Sequence, residues 1–558
     1  MNSIQFNSIQ FNSIQFNSIQ FNSIQFNRIT LNFIFLLIPA IFLIYYVYSL
    51  GIYFLICYFQ ISQILKFQKL ENCIFIFKNA FYKKFNFMEE IMSQKTTKRV
   101  FTRKSKLFLI LASMILALSC KNPLGDESGG SGGAGGGAGG GSGGQTITNK
   151  DGRVFPAWYL TEQQQQQNFS IEPTILFQST KTPEQHYRIP AIIVADNGNI
   201  VAICDDRHTK SGDIGQKNIS DLIDIVYRIS KDGGYNWSDK KIILPKTTDN
   251  NLAIANNKGD ALVFKHTDGT LVVLAVSGGG YAAADSEATP SRMLRSESKD
   301  NGETWSPWKE VGQSLFDEIK KKYGKKRGFA TSGRGLTLQD GTFAAGLSVD
   351  GGSKGVVFVY ATSKDKGLTW DYKGNIEHND NTVLINEPKP IAQLEDGKVL
   401  TSVRNARNPN TGNNPRLYAI FNADGTSMPN QLYKWNFHDG SVDAEGVVWT
   451  RKSAGHDITR ILHIQAGPYG RKGLKLYLSK DGGINWSDIK TLLNGYTRAC
   501  YASMDVAGDG TVITLAEEQS KATGTTDLQY DIVFRRYNMF ALTGEVYKTE
   551  WYKAIKTK

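Results

Sequence analysis

The sequence predicts an all-β protein, and more specifically a six-bladed β-propeller of four-stranded antiparallel blades. Three observations support this fold: a motif that occurs four times, short apolar runs between tight-turn dipeptides, and a near absence of helical periodicity. A propeller repeats a small sheet around a central axis, so its sequence carries similar modules at a nearly constant period.

The repeated motif has the pattern Ser-x-Asp-x-Gly-x-(Thr/Asn)-Trp. Its copies begin at Ser230, Ser298, Ser363 and Ser479, with spacings of 68, 65 and 116 residues. Because 116 is twice 58, the spacing indicates stacked modules, one of which lacks the motif. In each copy the Asp can accept backbone N–H bonds and the Gly supplies a positive φ, so the motif predicts a tight hairpin loop with a structural role.

Strands are predicted from about residue 180 onward. Short apolar runs such as 191–194 and 271–276 recur between Asp-Gly and Asn-Gly turns, which is typical of antiparallel hairpins. One helix is expected, near residues 314–322. The propeller is expected to occupy residues 151–558.

The segment before this domain divides into three parts. Residues 1–87 contain five successive NSIQF repeats and an uncharged apolar stretch over 31–65. We interpret them as a mis-assigned start or a non-native segment; a membrane anchor is the alternative, because the stretch is long enough to span a bilayer. Residues 88–120 read as a signal peptide, with a basic region and then a short apolar run over 107–118. Residues 121–150 are Gly/Ser-rich and predict a flexible tether.

The signal peptide ends in Leu116-Ala117-Leu118-Ser119-Cys120. This resembles a bacterial lipoprotein box with Cys120 as the lipidated residue, although Ala117 stands where Leu is usual. The resemblance implies export and membrane association through a lipid anchor, at the bacterial cell surface or outer membrane. The alternative is an ordinary signal peptide and a periplasmic or secreted protein.

Charge and cysteine content exclude some classes of function. Residues 1–120 carry 12 Lys+Arg against 3 Asp+Glu, and the rest of the chain carries 52 against 49. The folded part therefore gives no reason to expect a nucleic-acid partner. Within it, Cys204 and Cys500 are expected to be buried free thiols, and no Cys/His spacing predicts a metal site.

The motif Tyr187-Arg188-Ile189-Pro190 precedes the first repeat. Together with the repeats it resembles the bacterial sialidase (neuraminidase) family, in which the repeats are called Asp boxes. The resemblance covers residues 175–545 and implies a propeller whose catalytic residues surround the central axis. It also implies which residues bind and cleave a sialic acid.

Three arginines match those with which the family binds the sialic acid carboxylate. Planar guanidinium groups suit a carboxylate because they donate two parallel hydrogen bonds. The resemblance assigns Arg188, Arg404 and Arg471 to this role, with Arg460 and Arg498 as alternatives for the third.

The loop after Arg207 matches the family's acid/base loop. Arg207 is expected to bind the sugar ring, and Asp213, six residues later, to be the acid/base catalyst. Asp205, Asp206 and Asp221 remain alternatives to Asp213. A second substrate-binding acid is expected at Asp260.

The resemblance implies a tyrosine nucleophile, which is an exception among retaining glycosidases. A neutral phenol avoids the repulsion between an anionic nucleophile and the substrate carboxylate. Tyr501 matches this residue, with Tyr496 as the alternative, and Glu387 matches the Glu that deprotonates it. Glu517, in preference to Glu518, matches the residue that holds the first arginine.

The sequence therefore predicts a retaining exo-α-sialidase, a glycoside hydrolase that releases terminal sialic acid from glycoproteins, glycolipids and oligosaccharides. The alternatives are a trans-sialidase and a non-catalytic sialic-acid-binding adhesin. Its partners are expected to be sialylated glycans, the protein is expected to be monomeric, and neither a metal nor an organic cofactor is expected.

Overall fold

The computed structural model describes residues 146–148, 154–208, 211–215, 223–243, 257–284, 289–378, 383–407, 414–422, 424–426, 431–467, 470–520 and 530–548. These residues belong to a compact unit over Ala138–Lys558. The predicted leader, Cys120, residues 121–145 of the tether and Asp221 lie outside them. In the ranges described, no helix combines the length and the apolar character needed to cross a membrane.

The strands form five larger sheets and one small hairpin. The hairpin consists of β1 (Thr146–Thr148) and β2 (Val154–Pro156), so three residues of the predicted tether form a strand. Sheet I consists of β4 (Thr180–Lys181), β5 (Glu184–Val194), β6 (Ile200–His208), β7 (Ile223–Ser230) and β8 (Lys241–Ile242), in that order. Sheet II consists of β9 (Gly259–Lys265), β10 (Leu271–Gly278), β11 (Ser291–Ser298), β12 (Lys309–Val311) and β14 (Gly333–Arg334), in the order β12-β11-β10-β9-β14.

The remaining sheets follow the same antiparallel pattern. Sheet III consists of β13 (Gly328–Ala330), β15 (Leu336–Thr337), β16 (Phe343–Asp350), β17 (Val356–Ser363) and β18 (Asp371–Ile376), and both β13 and β15 pair with β16. Sheet IV consists of β19 (Ile385–Gln393), β20 (Val399–Asn405), β21 (Pro415–Phe421) and β22 (Tyr433–His438). Sheet V has the order β23 (Glu445–Thr450), β24 (Arg460–Ala466), β25 (Lys472–Ser479), β26 (Ser487–Val506), β27 (Val512–Gln519), β28 (Tyr530–Tyr537) and β3 (Ser170–Phe177).

The described helices are short and lie outside the sheets. They are α1 (Glu162–Gln165), α2 (Gln313–Tyr323) and α3 (Met539–Thr543), with 3₁₀ turns at Gly352–Lys354 and Lys452–Ala454. Helix α2 confirms the helix predicted near residues 314–322. It buries Leu315, Phe316 and Ile319 on one side, as expected for apolar residues one helical turn apart.

The four repeated motifs form the same loop. In the third copy, Asp365 accepts hydrogen bonds from Ser363 Oγ at 2.8 Å, Thr369 N at 2.9 Å and Thr369 Oγ1 at 2.6 Å. Trp370 Nε1 donates to Gly367 O at 3.1 Å, which ties the last residue of the motif back to the loop. The motif joins β7 to β8, β11 to β12, β17 to β18 and β25 to β26, so the tight hairpin loop that the pattern predicted is confirmed.

The Trp of each motif packs against the preceding sheet. The ring-centroid distances are 5.0 Å for Trp237–Phe534, 6.1 Å for Trp305–Tyr227, 6.0 Å for Trp370–Phe264 and 5.0 Å for Trp486–Trp435. These contacts join sheet I to V, II to I, III to II, and V to IV. Sheets III and IV meet where Tyr360 stacks on Phe421 at 4.6 Å. The five sheets thus form a closed ring, and the predicted all-β propeller arrangement is confirmed.

The sheets are less uniform than the sequence suggested. Only sheet IV has four strands, because β14 adds to sheet II by a parallel pairing with β9 and because β26 continues through sheet V. Sheet IV lies between the third and fourth motifs in the chain. In the described part of the connection between its last two strands, Asp424 instead accepts from Thr426 N at 2.9 Å in a turn without the box motif, which accounts for the silent repeat. Cys204 and Cys500 are free and buried, as expected.

Candidate active site

The predicted site residues lie where the strands are irregular. Ile189, Asp260 and Glu387 have φ values of 56°, 55° and 34°, a region that non-glycine residues rarely adopt. Register shifts interrupt β5 after Arg188, β19 at Glu387 and β26 before Ala502. Bulges of this kind re-aim side chains and are frequent beside active sites. They turn the functional side chains of several strands toward one another.

Arg188 is held by Glu517. Oε1 of Glu517 accepts from Arg188 Nε and from Ile189 N, both at 2.7 Å, and Oε2 accepts from Tyr501 N at 3.3 Å. The Glu517 side chain is fully buried, so this carboxylate fixes one edge of the guanidinium group. The neighbouring Glu518 pairs with Arg535 instead.

Tyr501 and Arg404 share one carboxylate. The Tyr501 hydroxyl donates to Oε1 of Glu387, and Arg404 Nη1 donates to Oε2. Arg404 Nη1 also lies 3.3 Å from the Tyr501 hydroxyl oxygen. Burial, followed by the Glu387 charge, holds the pKa of Tyr501 well above its ordinary value, so the phenol is neutral. Tyr496, in contrast, is 91% exposed.

Arg471 lies close enough to Arg188 and Tyr501 to interact with them electrostatically. Its backbone oxygen accepts from Ala499 N at 3.1 Å, which ties it to the strand of Tyr501. The nearby Cys500 thiol, ahead of Tyr501, raises the pKa of Arg471 against the effect of burial. Arg460 is engaged elsewhere, with Asp457 at 2.8 Å and Glu545 at 2.7 Å. The structure therefore brings Arg188, Arg404 and Arg471 around Tyr501, and not Arg460.

Arg207 holds the acidic side of the site. Its Nη2 lies 2.8 Å from Oδ2 of Asp205, its Nη1 2.6 Å from Oδ1 of Asp213, and its Nη2 3.6 Å from Asp260. The Asp205 side chain is fully buried, whereas that of Asp213 is 54% exposed. Of these two carboxyl groups, Asp213 is the one that a ligand can reach.

The other acidic candidates have different surroundings. Asp206, on the central strand of sheet I, binds Gln185 Nε2 at 2.8 Å and Lys240 Nζ at 2.7 Å. Burial, ahead of the Asp205 charge, raises the pKa of Asp260 well above its ordinary value. Asp260 lies on the same arginine as Asp213, where the sequence predicted a second substrate-binding acid.

Two further features lie near Arg188 and Tyr501 that the sequence does not predict. The Tyr530 ring lies under Arg188, with the guanidinium carbon 5.3 Å from the ring centroid. A buried cluster of charged side chains, which includes Lys389 and Glu445, lies along the strands of Glu387 and Tyr501. Neither feature corresponds to a recognisable spacing of residues in the sequence, so both become visible only in the folded structure. Among the described residues, no group of three or more His, Cys, Asp or Glu side chains could hold a metal ion.

Comparison with known proteins places this geometry in a family context. The BNR repeat-like domain family matches residues 212–514. A sialidase of Bacteroides fragilis is 25% identical over 348 residues, which cover 57% of this chain and 58% of the relative. A sialidase of Clostridium perfringens is 26% identical over 251 residues, 42% of this chain and 59% of the relative. The chain thus spans less than two thirds of the length of these relatives.

Solved structures show the same fold. The Hadza microbial sialidase Hz136 superimposes with a TM-score of 0.52 at 20% identity, over 66% of this chain and 69% of that protein. At this identity the likeness concerns the propeller alone.

Proposed function

The chain belongs to the BNR repeat-like domain family and is a member of the bacterial sialidases, and we propose that it is a retaining exo-α-sialidase. It would hydrolyse terminal α-linked sialic acid from glycoproteins, glycolipids and oligosaccharides. The observation that carries this proposal is the Tyr501–Glu387 hydrogen bond among three arginines, two of which, Arg188 and Arg471, also act on the charge of the exposed Asp213. A tyrosine paired with a glutamate is the nucleophile expected for a substrate with a carboxylate on its reacting carbon.

The arginines would bind the substrate carboxylate. Arg188, Arg404 and Arg471 carry three positive charges, and Glu517 and Glu387 compensate only part of them. An anionic ligand would supply the missing charge through bidentate hydrogen bonds. This pairing places the anomeric carbon, which bears the carboxylate, next to the Tyr501 hydroxyl.

Glycosylation of the enzyme would be the first step. The Tyr501 oxygen bonds to the anomeric carbon while its proton passes to Glu387, which already accepts that hydrogen bond. At the same time the bond to the leaving oxygen breaks, and Asp213 gives that oxygen its proton.

Hydrolysis of the intermediate would complete the cycle. Asp213, now a carboxylate, takes a proton from water, and the water oxygen bonds to the anomeric carbon. The bond to Tyr501 breaks, and the phenoxide recovers its proton from Glu387. Two inversions at one carbon give net retention. The chemistry uses side chains alone, so the proposal includes neither a metal nor an organic cofactor.

Six blades, each with a core of four antiparallel strands, form part of the proposal. The extra strands β4 and β14 lie at sheet edges, and β13 and β15 both pair with β16. Strand β26 pairs with β25 over its first half and with β27 over its second half, with a register shift between Ala499 and Ala502. Divided at this point, sheet V becomes two blades of four strands that share β26. With sheets I to IV, this gives six blades around one axis.

Release of free sialic acid from a fluorogenic sialoside by residues 145–558 tests the proposed activity. A trans-sialidase would instead transfer the sugar to added lactose, and an adhesin would bind the sialoside without cleaving it. We favour an enzyme over an adhesin because Tyr501, Glu387 and Asp213 are all present, and an adhesin needs none of them. Transfer to lactose distinguishes a trans-sialidase from the proposed hydrolase. The proposed substrates are sialylated glycans, and we propose a monomeric catalytic domain.

We also propose that the protein is exported and lipid-anchored at Cys120, on the bacterial surface or outer membrane. The support is the lipoprotein-type motif and the Gly/Ser-rich tether that follows it. Detergent partitioning of the full chain and of Cys120→Ala tests this: the variant should become soluble. Equal partitioning of the two would contradict the anchor.

A further inference from the structure

A cluster of five charged side chains lies along the inner strands that carry the proposed catalytic residues. Lys389 Nζ lies 2.7 Å from Asp443 Oδ2 and 3.5 Å from Glu445 Oε2. Arg334 Nε lies 2.8 Å from Asp505 Oδ1. The Lys389, Asp443, Glu445 and Asp505 side chains are at most 6% exposed. Placing so many charges away from water is costly, and each needs its partner.

The cluster joins the strands of the three central site residues. Lys389 follows Glu387 by two positions on β19, and Ser503 follows Tyr501 by two positions on β26. Asp505, further along β26, accepts from Val194 N at 2.8 Å, and Ser503 Oγ accepts from Ile192 N at 3.1 Å. Both of these donors lie on β5, the strand of Arg188.

Glu445 is the common point of these contacts. Its Oε2 accepts from Arg334 N at 2.6 Å and from Ser503 Oγ at 3.4 Å, in addition to facing Lys389. The backbone approaches so closely here that a Cβ on Gly333 would lie 2.7 Å from this oxygen. With a φ of 93°, Gly333 is also in a conformation that favours glycine. One carboxylate thereby connects the Glu387 strand to the Tyr501 strand.

We propose that Lys389 and Glu445 are positioning residues that set the geometry between Glu387 and Tyr501. This inference rests on the proposed sialidase function. Without Lys389, two facing carboxylates would repel each other or take up a proton, and β19 would lose its tie to β23 and β26. A displacement of about 1 Å between nucleophile and base can cost on the order of a hundredfold in rate. Substrate binding depends on arginines outside the cluster and should change little.

Two variants test the proposal, one with a large change to the cluster and one with a small change. Lys389→Met removes the charge with little change in length, and we expect kcat to fall about tenfold or more. Ser503→Ala removes one hydroxyl and with it two hydrogen bonds, the one that it donates to Glu445 and the one that it accepts from Ile192 N. We expect kcat to fall about threefold or more. In both variants KM should stay within about twofold of the wild-type value. Because the nucleophile is affected, sialyllactose and an activated aryl sialoside should lose the same factor.

Arg536→Met is the matched control. It breaks the fully buried Arg536–Asp509 pair beside the turn between β26 and β27, at the opposite end of β27 from Glu517. It should lower thermal stability as Lys389→Met does, while kcat per folded molecule stays unchanged. Wild-type kcat in Lys389→Met and Ser503→Ala, or a rise in KM with kcat unchanged, would overturn the inference. A wild-type enzyme that releases no sialic acid would instead contradict the proposed function.

Discussion

Arg207 Nη1 donates to Oδ1 of Asp213 at 2.6 Å, while Arg207 Nη2 lies 2.8 Å from Asp205. Burial alone would raise the pKa of Asp213, but the charges of Arg207, Arg188 and Arg471 outweigh it and lower this pKa. Asp213 is therefore ionised in the free protein at neutral pH. A general acid must be protonated, so the proposed chemistry requires the substrate to change this balance.

Removal of the Tyr501 hydroxyl tests whether Tyr501 is the nucleophile. Tyr501→Phe removes the attacking oxygen and leaves the ring, and should reduce kcat by several orders of magnitude, since each tenfold loss corresponds to about 1.4 kcal/mol of barrier. The measurement is kcat with a fluorogenic sialoside, on protein whose fold is verified by circular dichroism. Tyr496→Phe is the control and should keep wild-type activity. A Tyr501→Phe enzyme with more than about a tenth of wild-type kcat would move the assignment elsewhere.

The substitution Arg188→Lys tests whether Arg188 binds the substrate carboxylate. Arg188→Lys keeps the charge but loses the planar pair of donors and the Nε contact with Glu517. We expect kcat/KM for sialosides to fall about ten- to a hundredfold, because a charge-assisted hydrogen bond contributes about 1.5–3 kcal/mol. Arg460→Lys is the control, because Arg460 binds two carboxylates but lies away from Tyr501. An equal effect of the two substitutions would show that Arg188 has no special role in binding.

The Asp-box loops should affect stability and not chemistry. On strand β7, Ile223 pairs with Arg207 of the site, and Ser230 begins the first Asp box. The box therefore lies at the opposite end of this strand from the site. Asp365→Ala removes three hydrogen bonds in the third box and should lower the free energy of unfolding by about 1–3 kcal/mol. Urea unfolding measures this loss, and kcat should be unchanged.

Asp424→Ala, in the short turn of sheet IV, is the control for the box. Its carboxylate bonds to Thr426 alone among the contacts described, so the loss of stability should be smaller than for Asp365→Ala. If Asp365→Ala instead lowered kcat in fully folded protein, the boxes would have to contribute to the site.

Local features of the chain were predictable, and long-range pairings were not. The Asp boxes depend on contacts within eight residues, so their loops could be inferred from the motif. The choice between Glu517 and Glu518 follows from strand alternation, which sends the first to Arg188 and the second to Arg535. The parallel pairing of β14 with β9 and the Lys389–Glu445 cluster join residues far apart in sequence. No single motif encodes them, because each depends on how the sheets close around the axis.

Asp213→Asn separates acid catalysis from binding. The leaving group of a natural sialoside is an alkoxide that needs a proton, whereas a nitrophenol-type leaving group departs without one. The variant should therefore nearly abolish hydrolysis of sialyllactose and spare much more of the first step with an aryl sialoside. Single-turnover release of the aryl group measures that step. A residue that only binds substrate would weaken both reactions by a similar factor.

The pH profile gives the second signature of Asp213. The profile of kcat/KM reports the free enzyme, in which the arginines lower the pKa of Asp213, so its basic limb should lie at acidic pH. A bound substrate carboxylate neutralises part of the Arg188 and Arg471 charge and should raise this pKa. The basic limb of kcat, which reports the complex, should then lie at higher pH than that of kcat/KM. Asp213→Asn should remove this limb from both profiles. Profiles that keep their shape in the variant, with equal losses on both substrates, would assign the acid to another group.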